Sequence, residues 1–177
     1  METRTFEVAS ARSNINWTGK KVTGAHNGTI AIKSGTISLT DDNLGGNFVI
    51  DIASLKILDV TDPATNAQFE GHLFSNDFFS ADRFPEAFFT ITGSAKTQEG
   101  SYLVSGNLTI KDITNPVTFS ADLLIDDETL TASGKIIVDR TLYNMKFRSG
   151  NFFQNLGDTL IYNEFELDVK LTALNTL

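Results

Sequence analysis

This chain of 177 residues contains two histidines, His26 and His72, and no cysteine. The missing thiol excludes disulfides, thiol catalysis and Cys-ligated metal or iron–sulfur centres. Ser75 and Asp77 follow His72 closely, so a Ser-His-Asp arrangement can be drawn on paper. There is no Gly-x-Ser-x-Gly nucleophile turn to support it. A metal site needs three or four convergent ligands. His26, His72 and one carboxylate could make an open site, but no His-x-His or His-x₃-His pair supports it. His26 sits in a Gly-rich stretch and is read as bonding nearby backbone. His72 is read either as a cation at a helix C-terminus or as a polar group facing a cavity mouth. Arg140 is the remaining candidate: by parity it shares an inward apolar row, where a guanidinium needs an acidic partner. Asp112 or Asp158 is expected to supply it and so close one end of the fold.

The apolar residues are more informative than the titratable ones. Residues 69–89 read FEGHLFSNDFFSADRFPEAFF, with seven of the 14 phenylalanines of the chain in 21 positions. Burying one is worth roughly 1.5–3 kcal/mol. A non-periodic segment carrying seven must face a large apolar volume built by the rest of the chain.

That volume is supplied by strands. Apolar residues alternate with polar ones at Ile15/Trp17, Ile30/Ile32, Ile37/Leu39 and Phe48/Ile50/Ile52. The pattern resumes at Ala87/Phe89/Ile91, Tyr102 to Ile110, Val117 to Ile125, Ala132 to Val138 and Ile161 to Leu171. Period-two alternation marks half-buried strands. Asp41-Asp42-Asn43 with Gly45-Gly46 reads as one turn cluster. Asp62-Pro63 fits a helix N-cap followed by proline at the first helical position, predicting a helix from about Pro63 to Phe74. Pro85 stops any helix there. Eight or nine antiparallel strands with one inserted helix make a closed barrel or a sandwich, and the count favours the barrel. The whole chain, 1–177, reads as one domain.

Net charge −8 argues against a nucleic-acid partner and against docking on anionic lipid. No run of 18 apolar residues spans a membrane. METRTFEVAS lacks the apolar core of a signal peptide.

The chain resembles the YceI-like family from about Phe6 to Leu171. The resemblance is carried by Ile15-Asn16-Trp17-Thr18-Gly19, Gly24-Ala25-His26-Asn27-Gly28, Asp51-Ile52-Ala53-Ser54-Leu55, His72-Leu73 with Ser75-Asn76-Asp77-Phe78-Phe79, Phe84-Pro85 with Phe89, and Gly106 to Val117 (GNLTIKDITNPV). It implies an all-β, eight-stranded antiparallel lipocalin-like barrel with one helix and a Phe-rich covering loop. It further implies non-catalytic binding or transport of an elongated apolar ligand: an isoprenoid, a quinone or another long-chain lipid. After Asp139-Arg140 the chain departs from the commoner pattern of the family and runs into Phe152-Phe153 and Leu156-Gly157-Asp158. On this reading the ligand is lined by Trp17, Phe48, Ile50, Phe69, Leu73, Phe78, Phe79, Phe89, Ile91, Leu108, Phe119, Ile136, Arg140, Phe152, Phe153 and Phe165. No catalytic residue, metal or cofactor is expected, beyond a bound isoprenoid or fatty-acid-like lipid. The partner is a small hydrophobic ligand; the oligomeric state is left open, a homodimer being one option, and the resemblance implies a periplasmic or secreted location, with the cytoplasm left open. Two rival readings stand beside it: a small hydrolase of hydrophobic esters, and a ligand-free stress-related structural module whose phenylalanines simply fill the core.

Overall fold

The computed structural model describes residues 2–150, 156–157 and 160–176. Each apolar row folds as a strand with its apolar side inward. The strands are β1 (Thr3–Val8), β2 (Asn14–Lys21), β3 (Gly24–Thr40), β4 (Asn43–Ile57), β5 (Glu86–Gln98), β6 (Ser101–Ile110), β7 (Ile113–Ile125), β8 (Thr129–Asp139) and β9 (Ile161–Asn175). All pairings are antiparallel. From β2 to β9 each strand pairs with the next, and β9 returns to β2 to close the ring.

Nine segments fill eight positions. β1 lies against residues 36–40 of β3 and 173–175 of β9; β2 lies against 24–30 of β3 and 161–170 of β9. They are one broken strand, interrupted by a 3₁₀ turn at Ser10–Arg12. Ser13 bridges the break: its hydroxyl donates to the Ala9 carbonyl at 2.8 Å and accepts from the Thr172 N–H at 3.1 Å. The eight-stranded lipocalin-like barrel expected from the sequence is the fold that forms.

One turn is shorter than expected. Only Asp41-Asp42 lie outside the strands; Gly45 and Gly46 lie inside β4, opposite Ser38 and Ile37. Gly46 has φ 150°, and a side chain there would meet the Thr36 carbonyl oxygen at 2.3 Å. It is a glycine of close strand approach rather than of a turn.

Because the strands alternate in direction, the two long connections emerge at the same end. These are residues 58–85 and 140–160. The first holds α1 (Pro63–Phe74). Asp62 caps it, its carboxylate accepting from the Thr65 N–H at 2.9 Å, and Pro63 starts it without losing a needed donor. Asn66 tacks the helix to the barrel, donating to the Ile57 and Val60 carbonyls at 3.0 Å each. The Phe-rich loop then folds back under the helix, with Phe79 and Ala81 N–H groups on the Leu73 and Phe74 carbonyls. The opposite end has short turns and is plugged by Phe6, Leu130 and Ala173, each 0% exposed.

Candidate functional site: a cavity inside the barrel

The inward rows do not fill the barrel. They enclose a cavity of about 790 Å³ with an overwhelmingly apolar wall. Its position shows in the burial pattern. Inward residues on β2 to β6, such as Ile15, Ile32, Ile52, Phe89 and Val104, are fully buried. Inward residues on β7 to β9, including Phe119, Leu123, Ala132, Ile136, Phe165 and Leu167, are only half-buried yet line the cavity. The surface they keep faces the empty space. Rings pack into the wall where a neighbouring strand carries glycine: a Cβ on Gly106 would lie 2.4 Å from the Phe89 ring.

Thirteen of the expected residues lie on this wall: Trp17, Phe48, Ile50, Phe69, Leu73, Phe78, Phe79, Phe89, Leu108, Phe119, Ile136, Arg140 and Phe165. Ile91 does not. It packs partly buried against the core, between Gly46 and Gly106 on the flanking strands, just before an irregularity at Gly93. Phe152 and Phe153 lie outside the described residues. Ile15, Ile30, Ile32, Leu123, Leu167 and Val169 also line the cavity; their strand rows already pointed inward. Met145 and Phe147 line it too, from an aperiodic segment that offers no such signal.

Apart from Ser133 on β8, the polar lining residues gather at the end covered by α1. Thr65, Gln68 and His72 come from the helix, His26 from β3, and Tyr162 and Glu164 from β9. His26 is not bonded to backbone as expected. It lies in β3 opposite Gly19, and its Nδ1 is 2.8 Å from the Asp59 carboxylate, 33 residues away in sequence. Burial pushes the Asp59 carboxyl up, but hydrogen bonds from the Asn27 N–H and His26 outweigh that and hold it below its ordinary value. His72 occupies both of the places expected of it. It sits in the last turn of α1 and lines the cavity, with Nε2 2.9 Å from Asp77 and its ring edge-on to Phe78 and Phe147 at 5.1 and 4.6 Å. Ser75 donates its hydroxyl to the His72 carbonyl rather than to the ring, so no nucleophile–base bond is formed. No cluster of three His, Asp or Glu suited to a metal occurs among the described residues.

Arg140 is 4% exposed, and backbone carbonyls rather than Asp112 accept its donors; Asp158, the other expected partner, lies outside the described residues. Nε donates to Tyr162 O at 3.0 Å, Nη1 to Met145 O at 2.5 Å and Nη2 to Ile161 O at 3.0 Å. The guanidinium also lies 5.8 Å from the Phe78 ring centre. Burial lowers its pKa to about 10 against the raising effect of Asp139. Asp139 itself accepts from the Thr141 N–H. Lys111, 9% exposed, acts alike: it donates to the Asn76 and Asn144 carbonyls at 3.2 and 3.0 Å. Lys111 thus ties the Phe-rich loop to the segment after Arg140, and Arg140 ties Met145 to the start of β9. Charge-assisted bonds to backbone carbonyls can hold such segments without a carboxylate.

Residues 6–173 match the family model of the YceI-like domain. The chain belongs to the YceI-like family. A UPF0312 protein of Photorhabdus laumondii is 32% identical over 73% of this chain and 65% of its own length. A UPF0312 protein of Vibrio vulnificus is 30% identical over 51% of this chain and 46% of its own length. The chain therefore spans less than two thirds of these curated relatives. Among solved structures, Burkholderia cenocepacia BcnA superposes with TM-score 0.74 at 21% identity, over 94% of this chain and 99% of that one. A polyisoprenoid binding domain from Saccharophagus degradans gives 0.70 at 15% identity, over 96% and 98%. At these identities the two structures support the fold.

Proposed function

We propose that this YceI-like barrel binds one elongated apolar molecule in its cavity and carries it without chemical change. An isoprenoid, a quinone tail or another long-chain lipid is the ligand class. The observation that carries the reading is the volume of about 790 Å³ left open behind an apolar wall. At roughly 30 Å³ per water-sized group, it holds on the order of 25 heavy atoms. At about 0.8 kcal/mol per methylene the gross transfer gain approaches about 20 kcal/mol. An association cost of about 4–15 kcal/mol still leaves tight binding without strong polar contacts. The polyisoprenoid-binding description of the Saccharophagus domain supports the same class. The hydrolase alternative loses its best support, because the Ser75 hydroxyl is engaged by backbone.

Native mass spectrometry of gently purified protein tests this, followed by addition of geranylgeraniol. One lipid retained or taken up per folded chain is expected. Clean protein that takes up no prenol and no other long-chain lipid would overturn the proposal.

A further inference from the structure

Three rings that line the open cavity are nevertheless buried. Trp17, Phe48 and Phe89 are 8%, 9% and 8% exposed. Two others on the same wall, Phe119 and Phe165, are only half-buried. The difference lies in the neighbouring strand. Gly28 pairs with Trp17, Gly35 pairs with Phe48, and Gly106 lies diagonally across from Phe89. A Cβ at Gly28 would lie 2.6 Å from the Trp17 ring, and one at Gly35 would lie 2.8 Å from the Phe48 ring. At Gly106 a Cβ would run into the Phe89 ring. Trp17 is pinned across its glycine, its Nε1–H donating to the Lys56 carbonyl at 3.2 Å. The half-buried rings have no such seat. A Cβ at Gly134 would meet Phe119 at an ordinary 3.6 Å, and one at Gly19, opposite Phe165, would meet nothing within 4 Å. A glycine marks the place where a neighbour approaches a strand this closely.

The seated rings fix the width of the cavity. Leu44 and Leu55, both on β4, line it near its two ends. At about 3.3 Å per residue and a tilt of about 35–45°, they lie about 28 Å apart along the barrel axis. Spread over that length, about 790 Å³ leaves a cross-section of about 28 Å². One extended hydrocarbon chain, at carbon contact distances of about 4 Å, needs roughly 20 Å², and two side by side need roughly 40 Å². We propose that Gly28, Gly35 and Gly106 are the specificity-determining residues of the barrel. By seating Trp17, Phe48 and Phe89 in the wall they open a bore one chain wide. It admits a single tail, methyl branches included, and refuses a lipid with two tails. This rests on the lipid-binding cavity of the preceding section and adds what sets its width.

Uptake of three neutral lipids by the full chain, read by native mass spectrometry, tests the bore. Hexadecanol has one straight tail, geranylgeraniol one branched tail and dioleoylglycerol two tails. Wild type is expected to take up both alcohols and at least about tenfold less dioleoylglycerol. One methyl group too many in an apolar pocket changes binding by about tenfold or more. Gly35→Ala drives the Phe48 ring toward the cavity, so its ratio of geranylgeraniol to hexadecanol should fall about tenfold. Shortening the displaced side chain, in Gly35→Ala/Phe48→Leu, should restore the ratio, a rescue that a merely structural role for Gly35 would not give. Phe89→Leu, which leaves its glycine in place, should raise the same ratio severalfold and decides the question if Gly35→Ala does not fold. Wild type that takes up dioleoylglycerol as readily as geranylgeraniol overturns the single-chain bore and leaves the lipid cavity standing. A ratio unmoved by Gly35→Ala, unrestored in the double variant or unchanged in Phe89→Leu overturns the role of the seated rings. If none of the three lipids enters, this inference and the lipid cavity fall together.

Discussion

Adding bulk to the open wall should strengthen the fold, whereas the same bulk in the plugged end should weaken it. Ala132 lies on β8 opposite Leu123 and Leu171, half-buried and lining the cavity. Ala132→Leu adds three carbons to space that is already empty. Transfer of those carbons is worth about 2.4 kcal/mol, less about 0.5–1 kcal/mol of rotamer entropy. The net gain is about 1.5 kcal/mol, a rise in Tm of about 3–6 °C for a chain of this size. Ala173 is chemically the same residue at 0% exposure, against Val8 and Leu130. Ala173→Leu must displace packed neighbours and should cost about 1–3 kcal/mol. Urea denaturation and calorimetry on ligand-free protein measure both. Ala132→Leu also removes about 90 Å³ of guest space, so lipid retention should shift toward tails shorter by about three carbons. If Ala132→Leu destabilises the protein as much as Ala173→Leu, the cavity is not open in solution and the reasoning fails.

Arg140→Met keeps bulk but leaves the Met145, Ile161 and Tyr162 carbonyls without their donor. A loss of about 3–5 kcal/mol is expected, with faster hydrogen exchange across the described parts of 140–162. A loss under about 1 kcal/mol in urea denaturation would show that the guanidinium does not hold the connection. The His26–Asp59 pair predicts a pH effect. The Asp59 carboxyl is held below its ordinary value near 3.8, so its contribution is fully present above that value. It is lost as pH falls through the lower folded value. Unfolding measured between about pH 5 and pH 2.5 should therefore show a shallower acid limb in Asp59→Asn than in wild type. Parallel limbs would refute the pairing.

Most of the fold was legible because its signals are local. Alternation at i and i+2 assigns each strand its inner face, and Asp62-Pro63 marks the start of α1, which runs from Pro63 to Phe74 as expected. Thirteen wall residues followed from those rows and from the Phe-rich loop. The exceptions have specific causes. Ile91 has the right parity but lies off the cavity, at the approach to a register irregularity. Gly45-Gly46 has turn composition but lies within a strand, where close backbone approach requires glycine at Gly46. His26 found a carboxylate just past the end of the adjacent strand β4 rather than a neighbour in sequence.

The sequence by itself determined the family, the strand rows, the helix and the apolar character of the interior, because each depends on residues a few positions apart. Only the tertiary structure decided that the interior is partly empty. A cavity is the small difference between the volume a closed sheet encloses and the volume its side chains occupy, and no single row contains that difference. The same holds for the charged end. A register irregularity brings Lys20 and Lys21 to the lining together, and the carbonyls of Met145, Ile161 and Tyr162 gather around Arg140.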